Sequence, residues 1–309
     1  MSQPLRFDGQ VALVTGGAAG IGREHSLLLA QRGARVVVNG NYRANGVGPE
    51  QDLVELIREQ GGEAVAVNGS VADEAAAQRM VQTAIDAFGR LDIVVNNAGT
   101  GQTNLTVPEA PDDRFDSAMN THLLGTLRVT RAAWDHLVAS GNGRILNTGS
   151  ACAFGVLTPL GYEVAYSVAK SALFAVTRQM AGEGKAHGIH ANLVLPWAYS
   201  PMASKDLETS PLVKFMEENL DPSRVAAACL YLLHRDCPVS GQFVSAAGGR
   251  VTRVMFATTE GYTNPDLTPE DVRDHWAEIE GSASEGKLEG ARELADLADE
   301  FRLIRKALA

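Results

Sequence analysis

Tyr166 and Lys170 stand four residues apart, and Ser150 lies a short loop upstream. Four-residue spacing puts two side chains on one face of a helix. A cation there favours phenolate over phenol, so Lys170 is expected to lower the Tyr166 pKa from its ordinary value of about 10. Ser150 follows a β-type run containing Ile145 and Leu146, where its hydroxyl can reach the same substrate oxygen. A tyrosine acid/base, a lysine that tunes it and a serine that positions a carbonyl suit proton exchange between carbonyl and alcohol. A lone Tyr-x-x-x-Lys pair also occurs on ordinary solvated helix faces, so the elements that position it must decide.

Those elements alternate. Val11 to Val14 is a short apolar run of the kind found in buried parallel strands. Gly16, Gly20 and Gly22 follow, then a periodic helix from Ile21 to about Gln31 and a second strand, Arg35 to Asn39. Strand, glycine turn, helix and strand within about thirty residues is the setting in which glycines let a backbone approach a pyrophosphate at a helix N-terminus. The same glycines also suit plain helix–strand packing. Further on, helices are expected over Pro49–Gln60, Asp73–Phe88, Asp112 to about Ser140, Tyr166–Gly182 and Pro222 to about Arg235. Strands are expected over Glu63–Val67, Leu91–Asn96, Arg144–Thr148, His190–Leu195 (ended by Pro196) and Gly241–Ser245. The fold class is α/β: a Rossmann-like doubly wound parallel sheet of seven strands with helices on both faces. The glycine turn, Asn96–Gly99, Ser150 and Pro196 all fall at carboxyl ends of strands, where such sheets bind ligands.

Residues 1–250 read as a dinucleotide-binding catalytic domain and 251–309 as a helical C-terminal extension. Thr268-Pro269-Glu270-Asp271 has the form of a capped helix start leading through Glu280. After a Gly/Ser break, Leu288, Leu294, Leu297, Phe301, Ile304 and Leu308 recur at helical spacing. That stripe is expected to pack on its own domain or a sister subunit, or to reach into a partner's active site. A net charge of −10 without a basic stripe argues against nucleic acid, and no apolar run approaches a membrane span. Three cysteines do not make a disulfide framework, no metal-ligand cluster stands out, and neither end carries a targeting pattern, so the expected location is cytoplasmic.

With Thr15-Gly16-x-x-x-Gly20-x-Gly22, Asn96-Asn97-Ala98-Gly99, Ser150 and Tyr166-x-x-x-Lys170 in order, residues 5 to 250 resemble the short-chain dehydrogenases/reductases. RVVVNG, GTLRVTRAAWDHL, GRILNTGSACAFG and the tail through TPEDVRDHWAEI are more closely similar to the (3R)-hydroxyacyl-CoA dehydrogenase part of the multifunctional β-oxidation enzymes, a group that includes 17β-hydroxysteroid dehydrogenases. The resemblance implies an NAD(P)-dependent enzyme of lipid metabolism interconverting a secondary alcohol and a ketone, with NAD or NADP as cofactor. The substrate would be a 3-hydroxyacyl-CoA, or alternatively a hydroxysteroid or other ketone. A silent dinucleotide-binding sensor is the non-enzymatic alternative. By resemblance Tyr166 is the acid/base, Lys170 its tuner and a ribose ligand, and Ser150 the clamp on the substrate oxygen. Gly16, Gly20, Ile21 and Gly22 line the pyrophosphate. Asn97, Ala98 and Gly99 lie along the adenosine ribose, Ser70 and Val71 hold the adenine, and Pro196 opens the loop over the nicotinamide. A homodimer or homotetramer is implied, joined through the helices Asp112–Ser140 and Tyr166–Gly182.

Four departures from the family pattern stand out. His122 takes the place of the usual relay Asn, either relaying protons or filling space. Gly40 stands where the acidic residue that selects NAD belongs, and Arg43 nearby could meet a 2′-phosphate or solvent. The loop between Ser150 and Tyr166 is about three residues longer than in the relatives, a spacing difference that alters the substrate pocket. Trp197 follows Pro196 where Gly is usual.

Overall fold

Four consecutive apolar residues make the centre strand, β1 (Val11–Val14), buried at every position. Burial on both faces is why it reads as an unbroken run and not an alternating one. A computed structural model describes residues 3–41, 48–101, 105–155, 164–199, 211–281, 283–284, 287–288 and 291–293. In it β1 is followed by β2 (Arg35–Gly40), β3 (Glu63–Asn68), β4 (Ile93–Asn96), β5 (Arg144–Thr148), β6 (His190–Trp197), β7 (Phe243–Ala247) and β8 (Arg250–Val254). Their order across the sheet is β3-β2-β1-β4-β5-β6-β7-β8. Every pairing from β3 through β7 is parallel. The chain leaves β1 towards β2 on one side and returns to β4 on the other. That switch of direction opens a crevice at the strands' carboxyl ends.

Helices cover both faces. They are α1 (Gly20–Gln31), α2 (Pro49–Glu59), α3 (Glu74–Phe88), α4 (Asp112–Ala118), α5 (Gly125–Ser140), α6 (Val164–Gly184), α7 (Pro211–Asn219) and α8 (Pro222–Leu233). Strand side chains alternate between faces, so two cores form. Ala12, Val14, Val36, Val38, Ile93 and Val95 meet Leu27, Leu29, Val54, Ile57 and Val225 on one face. Val11, Leu13, Val37 and Val94 meet Met80, Val81, Val129, Ala133 and Leu137 on the other. The doubly wound parallel sheet expected from the alternation is present. Asp73 caps α3, accepting from the Ala75 and Ala76 N–H groups, and Gly89 closes the helix at φ 76°.

Three expectations need correcting. The sheet has eight strands, not seven. β8 is joined to β7 by only Gly248 and Gly249, both at positive φ (55° and 94°). A two-residue connection can make only an antiparallel hairpin, and two positive φ values fit a type I′ turn. Strand β6 does not stop before Pro196 but runs through Trp197. Its pairing with β5 ends at Val194 while that with β7 continues to Trp197. Pro196 therefore sits where only one flank is bonded, a position proline tolerates. The long helix over Asp112–Ser140 is not α-helical throughout, because Met119–Leu124 widens into a π-helical turn.

The chain divides into two compact units, Met1–Arg253 and Val254–Ala309. Within the second, Thr268 and Asp271 form the expected reciprocal capping box. The helix through Glu280 is interrupted at His275 into α9 (Pro269–Asp274) and α10 (Trp276–Glu280). Leu288, assigned to a helical stripe, lies instead in a two-residue strand, Lys287–Leu288, paired antiparallel with Ala283–Ser284. Gly281, Gly286 and Gly290 break helical propensity around it. The stripe from Leu294 onward lies outside the described residues.

The core also holds an uncompensated polar group. His25 of α1 is buried, and among the described residues neither ring nitrogen has a hydrogen-bond partner. Burial pushes its pKa down to about 4. The unfolded chain, whose histidine titrates at the ordinary 6.5, then binds the proton more tightly, so stability falls as pH drops from 6.5 towards 4. One pKa unit is about 1.4 kcal/mol, so His25 costs the fold about 2 kcal/mol between pH 6.5 and 5. His25→Leu is expected to flatten that part of the stability profile by about this amount. Urea unfolding at pH 7 and pH 5 measures it; an unchanged difference between the two would contradict the assignment.

Candidate active site

The crevice is built first from backbone. Thr15 leaves β1, and its Oγ1 accepts from the N–H groups of Asn97 (3.0 Å) and Ala98 (3.1 Å) while donating to the Val95 carbonyl (3.3 Å). The Asn97 side chain returns the contact, donating to the carbonyls of Thr15 (3.0 Å) and Gly16 (3.1 Å). The turns after β1 and β4 are thereby locked edge to edge, with no room for side chains. A Cβ on Gly16 would lie 2.9 Å from the Ala98 Cα, and one on Gly22 only 2.2 Å from the Gly16 carbonyl oxygen. Gly16 and Gly20 also hold positive φ, 59° and 50°. Among the described residues no side chain caps α1, and the first-turn N–H groups of a helix have no partner within the helix itself. A glycine turn that excludes side chains, feeding an uncapped helix N-terminus, fits the diphosphate of a dinucleotide.

Asn39 extends this scaffold. Its Oδ1 accepts from the Gly16 N–H (3.2 Å), and its Nδ2 lies within hydrogen-bond distance of the carbonyls of Gly40, Val67 and Gly69. One side chain thus ties the glycine turn to the ends of β2 and β3, where Ser70 and Val71 follow. Val71 is buried and packs against Gly125, where a Cβ would lie 2.7 Å from its Cγ2. The Ser70 hydroxyl accepts from the Ala72 N–H (3.2 Å). Ile21 packs half-buried on the core beneath α1.

The chemistry-bearing groups meet at the ends of β5 and β6. Ser150 ends the chain segment leaving β5 and caps a short 3-10 turn, Ala151–Phe154. Its hydroxyl accepts from the Cys152 N–H (3.2 Å) and is hydrogen-bonded to the Tyr166 phenol. Ala165 and Ala169 of α6 pack on Ala118 of α4, small residues that let the two helices approach closely. Lys170, one turn beyond Tyr166 and buried, donates to the Thr148 carbonyl (2.5 Å), with its Nζ 5.6 Å from the Tyr166 ring centroid. His122 lies on the other side, its ring edge-on to that of Tyr166 with centroids 5.0 Å apart.

Electrostatics differ from the expectation. Burial raises the Tyr166 pKa to about 12, with the Ser150 hydrogen bond pulling only partly in the other direction. Burial also pushes Lys170 down to about 7. Burial is the first cause of both shifts and penalises phenolate and ammonium alike, so in the free chain the Tyr166 pKa stands above its ordinary value and not below it as the spacing implied. His122 is held neutral, its pKa lowered to about 2 by burial first and by the Lys170 charge second.

His122 sits in the π-helical turn, a distortion common where a side chain must be aimed. Its Nε2 meets the N–H and hydroxyl of Thr100 at 3.4 and 3.3 Å, while its buried Nδ1 has no partner among the described residues. A Cβ on Gly99 would come within 2.7 Å of the His122 ring, so Gly99 leaves the space that the histidine fills. Pro196 and Trp197 end β6 beside the Ser150 segment, where Gly149 donates to the Val194 carbonyl (2.8 Å). Arg43, the long part of the Ser150–Tyr166 loop (156–163) and residues 200–210 after Trp197 lie outside the described residues. Sequence reasoning missed Asn39 as a scaffold residue and Thr148 as the lysine's anchor. It named Thr15 only within a motif. Each acts through hydrogen bonds between distant strands that linear spacing does not carry.

Comparison with known proteins agrees with this geometry. Residues 10–210 match the family model described as short chain dehydrogenase. The chain is 38% identical over 288 residues to peroxisomal multifunctional enzyme type 2 of Mus musculus, covering 90% of this chain and 38% of that protein. Full-length peroxisomal multifunctional enzyme type 2 from Drosophila melanogaster superposes with a TM-score of 0.79 at 28% identity, covering 98% of this chain and 50% of that one. The chain thus spans half or less of the length of both. L-sorbose reductase from Gluconobacter frateurii, solved with NADPH and L-sorbose, gives a TM-score of 0.70 at 26% identity over 80% of this chain and 98% of its own.

Proposed function

The chain belongs to the short-chain dehydrogenase family, and from that premise we propose that it oxidises the secondary alcohol of a 3-hydroxyacyl thioester to the ketone. It is an oxidoreductase using NAD or NADP. One observation supports the substrate reading: a multifunctional enzyme is 38% identical to this chain over 90% of this chain's length.

Bound nicotinamide supplies the hydride acceptor or donor; the protein's own residues handle the oxygen and its proton. Ser150 and Tyr166, already hydrogen-bonded to each other, present two hydroxyls to one substrate oxygen. Tyr166 takes the proton from the alcohol, or returns it to the ketone. Charge gathering on the oxygen is met by fixed donors that need no rearrangement at that moment. Lys170, held by the Thr148 carbonyl, titrates near neutrality, and in its charged form offsets the phenolate. Its second role is as a donor to the nicotinamide ribose. His122 stays neutral and packs edge-to-face with the tyrosine ring, helping to hold its plane. Gly16, Gly20, Ile21 and Gly22 take the pyrophosphate, Asn97 to Gly99 the ribose side, Ser70 and Val71 the adenine.

Copies pair through α4–α5 and α6, a reading supported by exposed apolar side chains on this stretch, Leu124 and Val168. Among the described residues no helix is long and apolar enough to cross a membrane. The three cysteines form no disulfide, which suits a reducing compartment such as the cytoplasm; the mouse and fly relatives are peroxisomal by name.

The test is a coupled panel of 3-hydroxyacyl thioesters of both hands, hydroxysteroids and simple secondary alcohols, each with NAD⁺ and NADP⁺. A thioester is expected to give the highest kcat/KM, about 10⁴ M⁻¹s⁻¹ or more. Turnover of hydroxysteroids with none of any thioester would overturn the substrate assignment while leaving the reaction type intact.

A further inference from the structure

Gly40 ends β2 where a dinucleotide-binding fold ordinarily offers an acidic side chain to the adenosine ribose. In the folded chain that space is not empty. A Cβ built on Gly40 would lie 2.2 Å from Oε2 of Glu50 and 2.6 Å from its Cδ. A Cβ on Gly48 would lie 2.4 Å from the same oxygen and 2.7 Å from Oε1. Neither glycine holds a positive φ, so neither is required by backbone conformation. Both are there for room. What they make room for is a carboxylate from the first turn of α2, ten residues further along the chain.

That carboxylate is buried, with only 3% of the residue exposed. Its Oε1 accepts from Asn68 Nδ2 at 2.8 Å, and Asn68 is the register partner of Gly40 across β2 and β3. Among the described residues its Oε2 has no hydrogen-bond partner. A buried carboxylate oxygen without a donor is costly, and this one lies at the carboxyl end of β2, one residue from Asn39, which holds the Gly16 N–H. We infer that Glu50, reaching over Gly40 from α2, supplies the carboxylate that accepts from the adenosine ribose hydroxyls and makes the protein NAD-selective. The inference rests on the dinucleotide reading above and deepens it. A ribose bearing two free hydroxyls donates to Oε2. A ribose carrying a 2′-phosphate loses that donor and sets its negative charge against a carboxylate, so discrimination has both an attractive and a repulsive part.

The experiment is calorimetric titration of the full chain with NAD⁺ and NADP⁺, and with ADP-ribose and its 2′-phosphorylated form, so that affinity is read without turnover. Wild type is expected to bind NAD⁺ at least about thirtyfold more tightly than NADP⁺. Glu50→Gln keeps the shape and removes the charge; it should weaken NAD⁺ about tenfold and shrink the ratio. In a Glu50→Ala background, Gly40→Asp places an acid at the same point from the strand and should restore NAD⁺ preference, a rescue that a merely structural role for Glu50 would not produce. A wild-type ratio near one or favouring NADP⁺, or a ratio unmoved by Glu50→Gln, overturns the inference and leaves the oxidoreductase reading standing. Failure of all four ligands to bind wild type would overturn both together.

Discussion

Tyr166→Phe should lower kcat for alcohol oxidation by a factor of about 10³, within the range that a positioned acid/base contributes, while dinucleotide affinity stays within about threefold of wild type. The separation follows from what each part of the side chain touches. The ring is held edge-on by His122, 5.0 Å between centroids, and a phenylalanine ring keeps that contact. Only the hydroxyl, hydrogen-bonded to Ser150, is lost. Ser150→Ala should cost less, about 10², because the tyrosine still exchanges the proton. The double variant should be little worse than Tyr166→Phe alone, since the two hydroxyls serve one substrate oxygen and act as a unit. Stopped-flow measurement of the chemical step with either nucleotide reads this directly. A folded Tyr166→Phe protein with undiminished turnover would remove Tyr166 from the mechanism.

Much of the fold was legible because burial on both sheet faces leaves a simple trace. β1 is four apolar residues, β2 and β4 centre on Val36–Val38 and Ile93–Val95, and the turn after β1 carries glycines whose backbone angles only glycine adopts easily, Gly16 and Gly20. β8 was not legible for the opposite reason. Arg250–Val254 is an edge strand, mostly exposed, and with two arginines and a threonine in five residues it does not read as a strand until the Gly248–Gly249 hairpin is recognised.

The candidate site was legible where it is local and hidden where it depends on solvent or distance. Tyr166 and Lys170 share one helix, so spacing sufficed to bring them together. The direction of the Tyr166 pKa in the free chain is not carried by spacing, because spacing says nothing of burial and burial is its first cause. His122 stands out as a departure, but the room its ring occupies is left by Gly99, twenty-three residues earlier. Gly40 read as a missing acid. Its meaning emerges only when α2 folds back and Glu50 fills the space, because a glycine's purpose here is set by a neighbour and not by its own backbone angle.

The glycine turn supplies the second large effect. At Gly22 a methyl group would stand 2.2 Å from the Gly16 carbonyl oxygen and 2.4 Å from Asn97 Nδ2. Neither neighbour can yield cheaply. Asn97 Nδ2 already donates to the Thr15 and Gly16 carbonyls, and Thr15 holds the Asn97 and Ala98 N–H groups in return. Gly22→Ala must therefore push the glycine turn away from the turn after β4. Overpacking of this kind costs about 2 kcal/mol, and a displacement of about 1 Å in a binding element is enough to cost about a hundredfold. The expected result is a lower Tm together with dinucleotide binding weakened about a hundredfold. Gly182→Ala is the matched control. It lies in α6 with nothing within 4 Å of the added methyl, so it should stabilise the protein by about 0.5 kcal/mol or more without changing nucleotide affinity. If Gly22→Ala binds NAD⁺ or NADP⁺ as wild type does, the turn between β1 and α1 is a packing device and the diphosphate must lie elsewhere.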